Sequence, residues 1–424
     1  MNIKGFTEWN HFEEVSGKLL IDGYDIEELV KIFDTPCYFY SKKSIFKMYE
    51  NVKDCFDDFD ILYSFKSNPS MAICNELKKM GAGADVASEN ELKLAINMGF
   101  EPKKIIYTSP AKSRENIEYA VESEILAINV ESIRELEILE EVAKEKGKRI
   151  NAILRVNPGN VGLDLKEVMA GEGSKFGMSM EKIFESNDKF NSLENVKLCG
   201  IHVYTASQIL EEEVIAQNFK RTLECAISIQ QNCGLEMKLI DFGAGLGIPN
   251  DISENSLDLK NLKKYIKDIL NEYSGLLSDT EFKVELGRYL VSASGLFVSK
   301  VLYVKGSYLI IDGGMNNFFR PLFMGFNHPT TVLNRMNKPG SKKYDIGGPI
   351  CSPIDVIAEE LLLPEAYPGD LIGFFNAGAY GWSMSLQNFL SFSSCREIII
   401  DKENGNRIIR EKSDVEDIMR LQRL

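Results

Sequence analysis

Histidine is scarce in this chain: His11, His202 and His328 are the only three in 424 residues. That shortage argues against a metal centre built on histidine, and no metal site is expected. The eight cysteines form no CxxC pair and follow no regular spacing. Neither a zinc knuckle nor a disulfide framework is therefore expected. No apolar run reaches the roughly 18 residues of a membrane-spanning helix, and no basic, apolar leader opens the chain. A cytoplasmic protein with no membrane partner is the expectation. Basic residues are outnumbered, 49 Lys and Arg against 63 Asp and Glu, for a net charge of -14. Such a field repels phosphate backbones, so nucleic acid is not expected as a partner.

What is present is the composition of a globular protein, 44% apolar and 26% charged, in a chain long enough for two domains. Eight short β-rich runs punctuate the first two-thirds. They are DILYSF (from Asp60), ADVAS (from Ala84), KIIYTS (from Lys104), ILAINV (from Ile125), INAILRV (from Ile150), LCGIHVY (from Leu198), MKLIDFG (from Met237) and EFKVEL (from Glu281). Most intervals between them carry helical spacing. From Ser132, for example, Ile133, Leu136, Leu139 and Val142 fall on one stripe. Eight strands alternating with helices predict an α/β fold, a (β/α)8 TIM barrel over residues 36–284. After residue 286 the texture changes to strands with Gly-rich turns: VSASGLFVSKVLYVKG, YLIIDGG, DLIGFFN and REIIID. Residues 285–424, joined by 1–35, are expected to form a mostly β domain.

Catalytic groups of a barrel sit at the C-terminal ends of its strands. The first run ends YSFKSN, which places Lys66 at the mouth. A lysine there is either a strand-edge residue reaching solvent or an amine whose desolvation suits it to a Schiff base. The seventh run ends DFGAGLG. Gly243, Gly245 and Gly247 either form an ordinary loop or bring backbone N–H groups close to a phosphate. Their spacing does not meet the dinucleotide fingerprint. The eighth ends VELGR, where Glu285 is either salt-bridged or a counter-ion for a protonated ring nitrogen. Further on, GGPICSPID and NAGAYGWS place Cys351, Asp355 and Tyr380 in Gly-flanked turns.

As an ordered set these motifs resemble the fold-type III pyridoxal-phosphate decarboxylases, the superfamily of diaminopimelate and ornithine decarboxylases, from about Pro36 to Ser391. YSFKSN, GADVASENELKLAINMGF (from Gly83), LRVNPG (from Leu154), SKFGMS (from Ser174), the glycine loop, ELGR and GGPIC occur in family order. The resemblance implies an alanine racemase-like fold type III, with the β domain completing the active site. It implies pyridoxal 5'-phosphate held as a Schiff base on Lys66. Gly243, Ala244 and Gly245 would donate N–H groups to its phosphate, with Ser207 and Tyr380 adding hydroxyls. Glu285 would keep the ring nitrogen protonated. Asp85, Arg155 and His202 match positions near the ring. Arg288 and Arg320 match arginines that hold substrate or phosphate anions, and Ser352 and Asp355 stand at substrate-contacting positions. Cys351 matches the thiol that returns a proton to the product, donated across a homodimer interface.

Departures from the pattern concern the substrate. Tyr204 stands where the family usually stacks a histidine on the ring. Ser352 replaces the glutamate of diaminopimelate decarboxylases, Met324 replaces their tyrosine, and Asn388-Phe389 replaces their late Tyr-Asn pair. A free diamine would lose its partner at such a site. CSPID, GIHVYT and AYPGDLIGFFNAGAYGWS resemble one branch in particular. That branch includes the glutamyl-carrier-protein decarboxylase of butirosin biosynthesis. The implied function is α-decarboxylation of an amino acid, either modified or presented on an acyl or peptidyl carrier protein. The basic segment RMNKPGSKKYD, with Arg335, Lys338, Lys342 and Lys343, is either a solvated loop or a landing site for an acidic carrier. Diaminopimelate decarboxylation, racemisation on the same barrel and a catalytically dead regulatory relative are the alternatives. Retention of Lys66, Glu285 and Cys351 speaks against the last.

Overall fold

The computed structural model describes residues 10–423, apart from 160–168, 172 and 252. The chain forms two compact units. One comprises Tyr49–Ile248 and Ser256–Gly287; the other comprises Met1–Met48, Pro249–Asn255 and Arg288–Leu424.

The first unit is a closed barrel of eight parallel strands: β1 (Asp60–Ser64), β2 (Gly83–Val86), β3 (Ile105–Thr108), β4 (Ala127–Val130), β5 (Ile150–Asn157), β6 (Val196–Tyr204), β7 (Leu239–Gly243) and β8 (Glu281–Leu286). Each overlaps one of the eight runs read from the sequence. Pairing proceeds round the ring and closes between β4 and β5 and between β8 and β1. Strands such as IIYT of β3 and AINV of β4 are buried at every position. They are sandwiched between barrel interior and outer helices, which is why they read as unbroken apolar runs. The outer helices begin at side-chain caps. Ser88, Ser113 and Ser132 each accept a hydrogen bond from the residue three positions on.

Alternation along the strands stacks the barrel interior in layers. Leu62, Ile106, Ala127, Ile153 and Leu239 belong to one apolar cluster. Two residues further along the same strands stand Ser64, Thr108, Asn129, Arg155 and Asp241. The layer nearer the C-terminal mouth is therefore polar.

The second unit holds a sheet of nine strands. Its main path runs Val356–Leu363, Lys342–Gly347, Tyr308–Ile311, Gly295–Lys305, Cys37–Ser41, Arg396–Ile400 and Arg407–Arg410. Leu371–Phe374 pairs with both Gly295–Lys305 and Thr330–Val332. The four strands expected after residue 286 are all present. The expected boundary at residue 36 shifts. Cys37–Ser41 pairs antiparallel with Gly295–Lys305 and parallel with Arg396–Ile400, so it belongs to this sheet and not to the barrel. The boundary expected at 285 also moves, because Glu285 lies within β8. The last part of the segment expected as a basic loop opens strand Lys342–Gly347. Residues 1–9 of the expected β domain lie outside the described residues. Among the described residues no helix is long and apolar enough to cross a membrane.

Candidate active site

Lys66 sits in a single 3-10 turn, Phe65–Ser67, that ends β1 at the barrel mouth. Its ammonium lies 3.3 Å from Asp85 Oδ2 and 5.5 Å from the centre of the Tyr204 ring. Asp85 is buried, and its other oxygen has no hydrogen-bond partner among the described residues. Burial and then the charge of Glu285 raise the Asp85 carboxyl above its ordinary range.

Glu285 is buried at the end of β8. His202 Nε2 lies 3.4 Å from its Oε2, and the Thr108 hydroxyl donates to Oε1 at 3.4 Å. On the other side of the imidazole, Asn129 Nδ2 lies 2.7 Å from His202 Nδ1. An amide donor at Nδ1 leaves the ring proton on Nε2, facing the carboxylate. Burial pushes the Glu285 carboxyl up, but the His202 ring, Lys66 and Arg155 outweigh it and bring it down to about 2. Asp241, fully buried nearby, moves the other way. Burial, Glu285 and Asp85 all push its carboxyl well above the usual range. One carboxylate of this cluster is thus held ionised while its neighbours resist ionising.

Arg155, near the end of β5, donates to Glu131 Oε1 at 2.8 Å, and its guanidinium lies 4.6 Å from the Phe176 ring centre. The second Glu131 oxygen accepts from Gly177 N at 2.8 Å. This joins the SKFGMS segment to the barrel end.

The glycine loop follows β7. A β-carbon at Gly243 would fall 2.0 Å from the Tyr204 ring. At Gly245, where φ is +65°, one would fall 2.1 Å from Ala206 O. The loop thus lies directly against the segment after β6 that carries Ser207. Ile209 N donates to Gly245 O at 3.0 Å and Gly247 N to Ile209 O at 2.9 Å.

Within the second unit, the guanidinium groups of Arg288 and Arg320 lie 5.2 and 4.7 Å from the Tyr380 ring centre. Arg320 also approaches Met384 Sδ at 3.6 Å. Two buried cations on one ring favour an anion nearby. Burial first, then Arg320 and Arg288 beside it, take the neighbouring His328 down to about 3. Cys351 is exposed on its loop.

The profile of the family described as "Pyridoxal-dependent decarboxylase, pyridoxal binding domain" matches residues 42–292. The L-glutamyl-[BtrI acyl-carrier protein] decarboxylase of Niallia circulans is 33% identical, over 95% of this chain and 97% of its own. The diaminopimelate decarboxylase of Archaeoglobus fulgidus is 32% identical, over 97% and 99%. Among solved structures, diaminopimelate decarboxylase from M. jannaschii superposes with a TM-score of 0.91 at 28% identity, covering 98% of this chain and 99% of that one. The chain belongs to the pyridoxal-dependent decarboxylases. It is a carboxy-lyase acting on an amino acid, and its cofactor is pyridoxal phosphate.

The decarboxylase's own residues fit that cofactor. An amine, a carboxylate held ionised, an aromatic ring and a glycine turn all stand at one barrel end. Asp85 Oδ1 and Thr205 Oγ1 are buried there without hydrogen-bond partners among the described residues.

Lys66, Asp85, Arg155, His202, Tyr204, Ser207, the glycines and Glu285 all fall at strand ends of the barrel unit. Arg288, Arg320 and Tyr380 gather in the other. Asp355, expected at the substrate, stands in the Cys351 loop. Both its oxygens are taken by backbone, Oδ1 by Met315 N at 2.7 Å and Oδ2 by Ile350 N at 2.8 Å, so it braces the Cys351 loop. The basic segment is also largely occupied. Arg335 bonds Asp370 at 2.7 Å, Lys343 bonds Glu360 at 2.7 Å, and Lys342 lies over Tyr344. Sequence reasoning did not single out Thr108, Asn129, Glu131 or Asp241. Their signal was available: each lies close to the end of a barrel strand, where polar side chains are unexpected in a buried run.

Proposed function

We propose that the decarboxylase removes the α-carboxylate of an amino acid whose far end is masked, by attachment to a carrier protein or by another modification. One arrangement carries the chemistry: His202 lies 3.4 Å from a buried Glu285, and the ring, Lys66 and Arg155 hold that carboxyl low against its burial. Support for the substrate comes from the relative named for glutamyl carrier-protein decarboxylation. It comes also from Ser352, which offers no carboxylate to a free distal amine.

When bound, pyridoxal phosphate is the electron sink that lets the carboxylate leave as CO2. Lys66 would hold it through its amine. Gly243, Ala244 and Gly245, with the Ser207 hydroxyl, would donate to its phosphate. Glu285, oriented by His202 and Thr108, would keep the ring nitrogen protonated, and Tyr204 would offer an aromatic face. In the second unit, Arg288 and Arg320 would take an anionic group, with the Tyr380 hydroxyl beside them. Cys351 would deliver the proton that replaces the carboxylate on Cα. We further assign the chain to a homodimer in which each Cys351 serves the other subunit's reaction.

Diaminopimelate decarboxylation is a second reading, supported by relatives of that name at 32–33% identity. The test is CO2 release from free diaminopimelate, free ornithine, free glutamate and carrier-bound glutamate. Release from the carrier-bound form with the highest kcat/KM is expected. Free diaminopimelate turned over faster would overturn the tethered substrate.

A further inference from the structure

None of the roles above uses Lys112, a lysine in the loop after β3 whose side chain has no exposed surface. Its three N–H bonds meet three acceptors: Ser109 O at 2.8 Å, Asn129 O at 2.7 Å and Glu135 Oε1 at 2.5 Å. The second Glu135 oxygen accepts from Glu131 N at 3.0 Å. The ammonium and its carboxylate therefore grip the end of β4 at two places. From those places two side chains project. Asn129 reaches His202 Nδ1 at 2.7 Å, and His202 faces Glu285 at 3.4 Å. Glu131 holds Arg155 at 2.8 Å.

We propose that Lys112 is a positioning residue: with Glu135 it fixes Asn129 and Glu131, and through them the orientation of His202, Glu285 and Arg155 toward the cofactor. Stability alone does not account for the pair. A buried ion pair is often no more stable than an apolar pair of the same volume. An apolar pair, however, has no donor for Asn129 O and no acceptor for Glu131 N. Saturating those two backbone groups removes the freedom of β4's last residues to shift along the strand. Both side chains that depend on them act on groups assigned to the cofactor. Outer partners of this kind tune the ligands they hold. The inference rests on the proposed roles of Glu285 and Arg155.

Two volume-conserving changes test it. Lys112→Met with Glu135→Gln removes both charges and leaves an amide oxygen for Glu131 N. Asn129→Leu keeps the backbone bond to Lys112 and cuts the link to His202. Pyridoxal phosphate is titrated into the cofactor-free proteins, and the ring 15N shifts of His202 are recorded before it is added. With three histidines in the chain, three rings need assignment. Both variants are expected to bind the cofactor about 10-fold more weakly, and His202 is expected to lose the signature of an Nδ1 acceptor. Wild-type affinity with unchanged His202 shifts in the double variant overturns the inference. If the double variant does not fold, the same result in Asn129→Leu overturns it. Failure of the underlying roles looks different. Wild-type protein would then not bind pyridoxal phosphate, or borohydride would fix it elsewhere than Lys66. The His202 shifts in cofactor-free protein test the positioning in that case too.

Discussion

Replacing Glu285 by Gln removes one charge from the barrel and almost no volume. In the folded chain, burial would raise this carboxyl, yet His202, Lys66 and Arg155 take it from 4.5 to about 2. At about 1.36 kcal/mol per pH unit, that difference is about 3 kcal/mol in favour of the anion. The group therefore remains a counter-ion at any physiological pH. The amide put in its place would still accept from the Thr108 hydroxyl but would carry no charge. A hydrogen bond to a charged group is worth roughly 1.5–3 kcal/mol, or about 10- to 160-fold in rate. We expect kcat for CO2 release to fall within that range. Cofactor affinity, measured by absorbance titration, should fall by about 10-fold, as for loss of the groups that orient Glu285, and binding should persist because Lys66 and the glycine turn remain. A Glu285→Gln enzyme with bound cofactor and kcat within about twofold of wild type would refute the assignment.

Lys66→Ala should abolish the borohydride-fixed cofactor adduct seen by mass spectrometry; an adduct of equal yield elsewhere would refute that role. Mixing Lys66→Ala with Cys351→Ala subunits should restore about a quarter of wild-type activity if each dimer site draws on both chains; two inactive parents giving an inactive mixture would refute the shared arrangement. Arg155→Met strands Glu131 in a buried place and should cost about 3–5 kcal/mol in urea unfolding; a loss below about 1 kcal/mol would show the pair to be idle. The depressed Glu285 value means that its contribution to stability is complete above about pH 4.5 and lost as pH falls through about 2. Acid unfolding of Glu285→Gln should lack that component, and superimposable acid curves would contradict it. Ser352→Glu should raise kcat/KM for free diaminopimelate; no change would remove Ser352 from substrate selection.

The barrel was readable in the sequence because parallel strands covered on both faces leave unbroken β-branched runs, as in KIIYTS and ILAINV. The same reasoning located Lys66, Glu285 and the glycine turn, which are the last residues of such runs. The second unit was less readable. VIAEELLL, which forms strand Val356–Leu363, places two glutamates side by side and lacks the alternation of a half-buried strand. Lys342 and Lys343 open a strand because backbone pairing with Leu363 and Leu362 overrides their poor strand propensity. Asp355 reads as a substrate contact in the sequence because it closes the motif that holds Cys351. Only the fold shows its oxygens turned toward Met315 N and Ile350 N. Lys112 was hidden for a related reason. A lysine between Pro110 and a helix cap reads as solvated, and two of its three acceptors come from β4 and the following helix, which sequence spacing does not join to it.

The bracing of the Cys351 turn by Asp355 separates two jobs that short loops usually combine. A β-carbon at Gly314 or Gly348 would come within 2.5 Å of that carboxylate, so the base of the turn is filled. Pro353 and Ile354 at the tip are exposed and Ser352 is only half-buried. Residues there can be exchanged for others of different charge or length without unsettling the thiol beside them. Such a turn would let one scaffold be re-addressed to a new amino acid by changing two or three side chains, while the thiol proposed to return the proton stays in place.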